Sequence, residues 1–430
     1  MVVFSLLSSG FLVGIIFFIL GLGTLLPWNF FMTVSMYFNN RLNTSEWSNG
    51  TVTTRKEYYF NNWMTLLSQL PLLLFTLLNS FLYQWISEKM RIAGSLVFIL
   101  LLFILTAVLV KIPMEEDRFF SVTMATIWFI NSFGAVLQGS LFFFVCFLPQ
   151  SYSAVFMSGQ GLAGTFAALA MIFAIASETL LSLRYYHLFN YYCIICICTL
   201  RFEAHSAHSM QLCSLFYGDC DPPDAVEDSV KSSDPNKGEE EGVTLAFITL
   251  PSENTSYPQK SSILQVFKKI WLMAFCVTFV LTVTLPDAHH VFVSLFLSER
   301  YFIPVVCFLF FNVMDFIGRS VTLVSKWPSK DSGLFPVLVV CRVIFVPLLM
   351  MCNVQERHYM PVLFSNDVMF AAIMVFFSVS SGYFVCLSMT YAPQLVEPKD
   401  GETAGALMTF FLALGLSLGA ALSFTLRFLV

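Results

Sequence analysis

The sequence predicts an all-α polytopic membrane protein of eleven transmembrane helices, six followed by five, and three observations lead there. Of the 430 residues 57% are hydrophobic and only 11% are charged, whereas a soluble domain carries about a quarter charged residues. Eleven runs are apolar enough to cross a hydrocarbon core, which takes about 20 residues of helix. One long polar segment, 201–264, separates the sixth run from the seventh.

The runs are 11–37, 62–84, 91–111, 119–148, 153–177, 182–200, 265–285, 301–325, 334–352, 367–392 and 403–428. The first belongs to a stretch of 40 residues without a single ionised side chain. It lacks the basic start and small-residue cleavage site of a signal peptide, so it reads as a span. The sixth is the most polar, since Arg184 and His187 fall in it, and PDAHH interrupts the pattern just past the seventh. Between them DCDPPDAVEDSVKSSDPNKGEEEG combines acids, Pro, Gly and Ser with few apolar residues, a composition that predicts disorder. The expected organisation is therefore an N-terminal six-helix bundle (1–200), a disordered cytoplasmic loop (201–264) and a C-terminal five-helix bundle (265–430).

Orientation rests on the polar connections. Asn43 and Asn49 open glycosylation sequons in the loop after the first span, as an extracellular or luminal loop allows. Lys89 and Arg91 in the second connection, with Lys268 and Lys269 at the start of the seventh run, fit the cytoplasmic side. The N-terminus and central loop are expected inside and the C-terminus outside. The net charge of −5 sits largely in the central loop, so it signals no nucleic-acid partner. Eleven cysteines are scattered mostly through apolar runs. The cluster at Cys193, Cys196 and Cys198 reads as buried small hydrophobes, and no metal site or cofactor is expected.

Polar groups inside the spans are the functional candidates. Asp315 and Arg319 are the only charges between Arg300 and Lys326. At 100° per residue, Phe308, Asn312, Asp315 and Arg319 share an arc of about 60°. Each charge would cost roughly 2.5–3.5 kcal/mol against lipid, so this face looks into the bundle or a water-filled cavity. An i,i+4 ion pair that only fixes packing is the alternative reading. Asn131, Gly134 and Gln138 line one face of the fourth run, and an uncharged Gln suits a nucleobase edge or an interhelical bond. In the first run Leu25, Trp28 and Met32 form a stripe beside Pro27, which frees a backbone carbonyl and kinks the helix. SGQGLAG and the Gly415/Gly419 pair read as close helix contacts. No HExxH or Walker A sequence is present, and GLSLG at 415–419, which has the form GxSxG, lies within an apolar run and not at the strand-to-helix turn a nucleophile elbow needs. A solute pathway is favoured over an enzyme, with a non-transporting membrane protein that binds and signals as the alternative.

Six motifs in order, GLGTLLPWNFFMT, FNNWMTLLSQLPLLLFTLLNSFLYQ, INSFGAVLQGSLF, SGQGLAG, RYFIPVVCFLFFNVMDFIGRS and ETAGALMTFFLALGLSLGA, resemble the equilibrative nucleoside transporters over nearly the whole chain. The resemblance implies a major-facilitator-like 6+5 arrangement at the plasma membrane, a glycosylated first loop and sodium-independent facilitated diffusion of nucleosides. It implies that Trp28, Met32, Gln69, Leu72 and Leu416 enclose the ligand, that Gln138 meets the nucleobase, and that Asp315 and Arg319 hold the ribose hydroxyls, supported by Asn312 and Phe308. Gly134 matches the inhibitor-sensitive glycine of the type-1 pattern. NNWMTLLSQLP and KIWLMAFCVTFVLTVTL resemble type 2, which adds nucleobases to the expected solutes. Segments 143–148, 178–215 and 286–299 depart from the family pattern, and Ser381 stands where Asn is usual. These departures leave an inactive form of the transporter as a further alternative. The resemblance implies no cofactor and leaves the oligomeric state open.

Overall fold

The computed structural model describes residues 13–29, 31, 38, 42, 60–82, 86–112, 114–146, 150–176, 262–284, 308–352, 362–364, 366–397 and 400–429. Met32, Asn43, Asn49, Cys193, Cys196, Cys198, the run 182–200 and the central loop up to 261 lie outside them. The described helices are α1 (Val13–Asn29), α2 (Phe60–Leu82), α3 (Glu88–Lys111), α4 (Glu116–Val145) and α5 (Gln150–Ala176). They continue with α6 (Ile263–Thr284), α7 (Phe310–Val321), α8 (Leu334–Met350), α9 (Asp367–Tyr391) and α10 (Gly401–Leu429). Among the described residues α3, α4, α6, α9 and α10 contain stretches long and apolar enough to cross a membrane, and α1, α2 and α8 contain shorter apolar ones. The described residues form an all-helical polytopic membrane protein.

Several helices begin two or three residues before their apolar runs. α4 starts at Glu116 with two acidic residues in its first turn, where carboxylates meet the positive end of the helix dipole. Apolar content therefore marks the bilayer-crossing part and not the whole helix. α7 is the reverse case, with an ordinary helix of only 12 residues preceded by a wider π-type turn at 308–309. α8 is broken by a 3₁₀ turn at Arg342–Ile344.

Leucines at 66, 70, 74 and 77 are exposed along one stripe of α2, and Val97, Leu101, Ile104 and Val108 along α3. A soluble monomer does not leave so large an apolar surface bare, whereas a membrane-spanning helix does. Inside, phenylalanine fills the volume: Phe38 stacks on Phe60 at 5.3 Å and meets Phe119 at 5.7 Å, while Phe31 meets Phe103 at 5.6 Å.

Close contacts set the relative directions of the helices. α1 and α5 run parallel, with Phe17 facing Tyr152 and Thr24 facing Gln160. α5 and α7 run antiparallel, since Lys326, just past α7, bonds Gln150 at 2.7 Å, Ser158 meets Ser320 at 2.7 Å, and Gly164 abuts Asn312. α7 and α9 run parallel: Gly318 lies against the Val379 carbonyl, Gly382 against the Asp315 carbonyl, and Thr322 reaches Cys386. α9 lies antiparallel to α6 through Thr284 and Ser381, with Lys269 near Glu397 at the far end. α5 and α6 thus run in the same direction.

Candidate functional site

Helices from both sides of the central loop surround a cavity of about 220 Å³, room for one small solute. α1 contributes Thr24, Pro27, Trp28 and Asn29, α2 contributes Ser68, Gln69 and Leu72, and α4 contributes Asn131, Gly134 and Gln138. Across from them stand Thr284 of α6, Phe311, Asn312, Asp315 and Arg319 of α7, Ser381 of α9 and Leu416 of α10. Of the residues singled out in the sequence, Trp28, Gln69, Leu72, Gly134, Gln138, Asn312, Asp315, Arg319 and Leu416 share this wall. Phe308 does not; its backbone carbonyl accepts from Asn312 Nδ2 at 2.7 Å, and the ring facing the cavity is Phe311.

The two charges cancel within the site. Arg319 Nε donates to Asp315 Oδ2 at 2.7 Å, with 11% and 9% of the two side chains exposed. Arg319 Nη1 reaches the Met157 carbonyl at 3.4 Å, which ties α7 to α5. The pair forms because the residues are one helical turn apart with the acid first. Burial is tolerable because each charge has the other and the backbone as partners.

The amides are set out as acceptors. Asn29, Asn131 and Asn312 each donate Nδ2 to the carbonyl four residues earlier, at 2.9, 2.8 and 2.7 Å. No Oδ1 of the three has a hydrogen-bond partner among the described residues, and that of Asn312 lies against Gly164. Gln160 Nε2 donates to Thr24 Oγ1 at 3.0 Å, and Thr24 passes its proton to the Gly21 carbonyl at 2.7 Å. Gln138 differs from all of these. It is 5% exposed, lines the cavity, and has no hydrogen-bond partner among the described residues, so a whole amide is open to a solute.

Two glycines shape the cavity in opposite ways. A Cβ on Gly164 would collide with Asn312 Oδ1, whereas one on Gly134 would meet nothing within 4 Å. Gly164 makes room for Asn312, and Gly134 leaves a gap in the wall.

Residue patterns missed Thr24, Ser68, Gln160, Thr284 and Phe311 as wall residues. Gln160 had a signal, a lone amide inside the small-residue run SGQGLAG. Thr24, Ser68 and Thr284 had none, because hydroxyls commonly bond their own helix backbone.

A family model described as nucleoside transporter matches residues 124–428. The chain belongs to the nucleoside transporter family. This nucleoside transporter is 46% identical to equilibrative nucleoside transporter 2 of Homo sapiens, covering 98% of each chain. It is 44% identical to equilibrative nucleoside transporter 1 of Homo sapiens over 97% of each. To equilibrative nucleoside transporter 3 of Rattus norvegicus it is 29% identical, over 95% of this chain and 87% of the relative.

Proposed function

We propose that this nucleoside transporter carries purine and pyrimidine nucleosides, and nucleobases with them, down their gradients without sodium. The observation that carries this reading is the cavity itself, where the only two charges among the described wall residues neutralise each other, while the Gln138 amide and one Asp315 carboxylate oxygen have no hydrogen-bond partner among the described residues. A neutral solute rich in hydroxyl and N–H donors suits such a wall. A phosphorylated solute would bring in charge with no surplus cation to meet it.

In this reading Gln138 addresses the nucleobase with both a donor and an acceptor, and Asp315 and Arg319 hold the sugar. Asn312, Gln69 and Leu72 frame the ligand with Trp28, Met32 and Leu416. Transport proceeds by alternating access, with helices 1–200 and 265–430 rocking about the site. The parallel course of α5 and α6 is what an eleven-span order requires. The same reading places the protein in the plasma membrane with the N-terminus inside and Asn43 and Asn49 glycosylated outside.

Labelled uridine uptake, measured with and without sodium and across pH, tests the proposal. Equal uptake with and without sodium, ending when inside and outside concentrations match, is expected. Uptake lost without sodium, or uphill accumulation driven by protons, overturns it. Arg319→Ala should abolish uptake per molecule at the cell surface, and normal transport by that variant would return the ion pair to a packing role.

A further inference from the structure

Beside Asp315 the cavity wall carries two hydroxyls, Thr284 on α6 and Ser381 on α9, 7% and 2% exposed. Their protons can be traced. Thr284 Oγ1 donates to the Val280 carbonyl at 2.6 Å, which uses its only hydrogen. Arg342, itself buried at the break in α8, donates Nη2 to Thr284 Oγ1 at 3.4 Å. The same guanidinium is held by Ser380 Oγ at 2.9 Å and by the carbonyls of Val280 and Phe377, both at 3.3 Å. Thr284 and Ser381 lie 3.1 Å apart. Since the Thr284 proton is committed, Ser381 is the donor of that bond. Thr284 then accepts twice and has nothing left for a solute. Ser381 has spent its proton, and its lone pairs have no donor among the described residues, so toward the cavity it is an acceptor only.

The position of this acceptor gives it a role. Ser381 is followed by Gly382, whose own Cβ position would lie 3.0 Å from Asp315 Oδ1, the carboxylate oxygen that Arg319 does not engage. Asp315 Oδ1 thus lies against the residue that follows Ser381, and Asp315 and Ser381 both line the cavity, one an anionic acceptor and one a neutral acceptor. A polyhydroxylated ring presents adjacent O–H donors in the complementary pattern.

We infer that Ser381 is a further specificity-determining residue, whose hydroxyl oxygen accepts a hydrogen bond from a sugar hydroxyl of the carried nucleoside next to the one held by Asp315. The inference rests on the nucleoside reading above and assigns part of the recognition to α9. Thr284 and, behind it, Arg342 act as positioning residues that keep the Ser381 proton turned away from the solute.

The test compares KM for uridine, 2′-deoxyuridine, 3′-deoxyuridine and 5′-deoxyuridine in the full chain and in its Ser381→Ala and Ser381→Cys variants. The cysteine keeps the volume but offers a poor acceptor, so it serves if alanine disturbs the fold. One neutral hydrogen bond corresponds to about a 2- to 12-fold change. The expected result is a rise of that size in KM for uridine in both variants, with no rise for one of the three deoxy analogues. The penalty for removing that one hydroxyl thus collapses. Unchanged ratios among the four solutes, or a uniform loss for all of them, overturns the inference while leaving nucleoside transport standing. Absence of uridine uptake by the unaltered chain removes both.

Discussion

Asp315 and Arg319 are paired at 2.7 Å in a place where neither charge would be tolerated alone. Removing one partner of a buried pair leaves an uncompensated charge, which destabilises by about 3–5 kcal/mol; the open cavity moderates this. Arg319→Ala should therefore lower the melting temperature of the purified protein in detergent. Adding Asp315→Asn should recover part of that loss and none of the uridine uptake, because the fold needs only neutrality whereas binding needs the donors. The glycines supply a second residue-scale contrast. Gly134→Ala should leave stability unchanged, since its Cβ enters empty space. Gly164→Ala should raise KM for uridine severalfold, because the Asn312 side chain must rotate out of its place. Equal KM values for the two variants would refute this. The ion pair was legible in the sequence because charges inside an apolar run stand out. Gln138 was legible only as an amide with two readings, and that it lacks a partner among the described residues is a fact of packing. Ser381 carried no periodicity that could mark it, since its character comes from Thr284, 97 positions away in the chain.

At the scale of elements, α7 and α9 determine where the polar face sits. Gly318 and Gly382 each press on a carbonyl of the other helix, so the two backbones approach more closely than any side chain would allow. Close contact of this kind stabilises helices in lipid, where burial of apolar surface contributes little. Gly382→Ala puts a methyl group against the Asp315 carbonyl and forces the helices apart, a strain of about 1–3 kcal/mol by analogy with overpacked cores. It should lower both the melting temperature and uridine uptake, while Gly94→Ala, with nothing within 4 Å, should change neither. A Gly382→Ala protein as stable and active as its parent would show that the contact is loose. Hydropathy located these helices well because lipid imposes a length on them. It misplaced their starts at Glu88, Glu116 and Gln150, since polar first turns belong to the helix and not to the apolar run. Within the run 301–325 it could not separate the α-helix Phe310–Val321 from the π-type turn at 308–309; 301–307 lie outside the described residues.

For the whole molecule, transport by alternating access requires the helices before the central loop to part from those after it, first at one end and then at the other. In this conformation one end is fastened along α5 and α7 by Gln150 with Lys326, Ser158 with Ser320 and Arg319 with the Met157 carbonyl. These contacts run outward from the cavity, so opening that end must break all three. Ser158 Oγ and Ser320 Oγ are 2.7 Å apart, near enough for a cysteine pair to close into a disulfide with little backbone movement. The double variant Ser158→Cys, Ser320→Cys should transport uridine when reduced, stop when oxidised, and recover with reductant, with Ser158→Cys alone as the control for the native cysteines. The oxidised protein should still bind labelled uridine, because the cavity remains formed and the other end can open. Full uptake by the cross-linked protein would mean that α5 and α7 move as one body, and the parting of the two sides would then have to be sought between α10 and its neighbours α2 and α4.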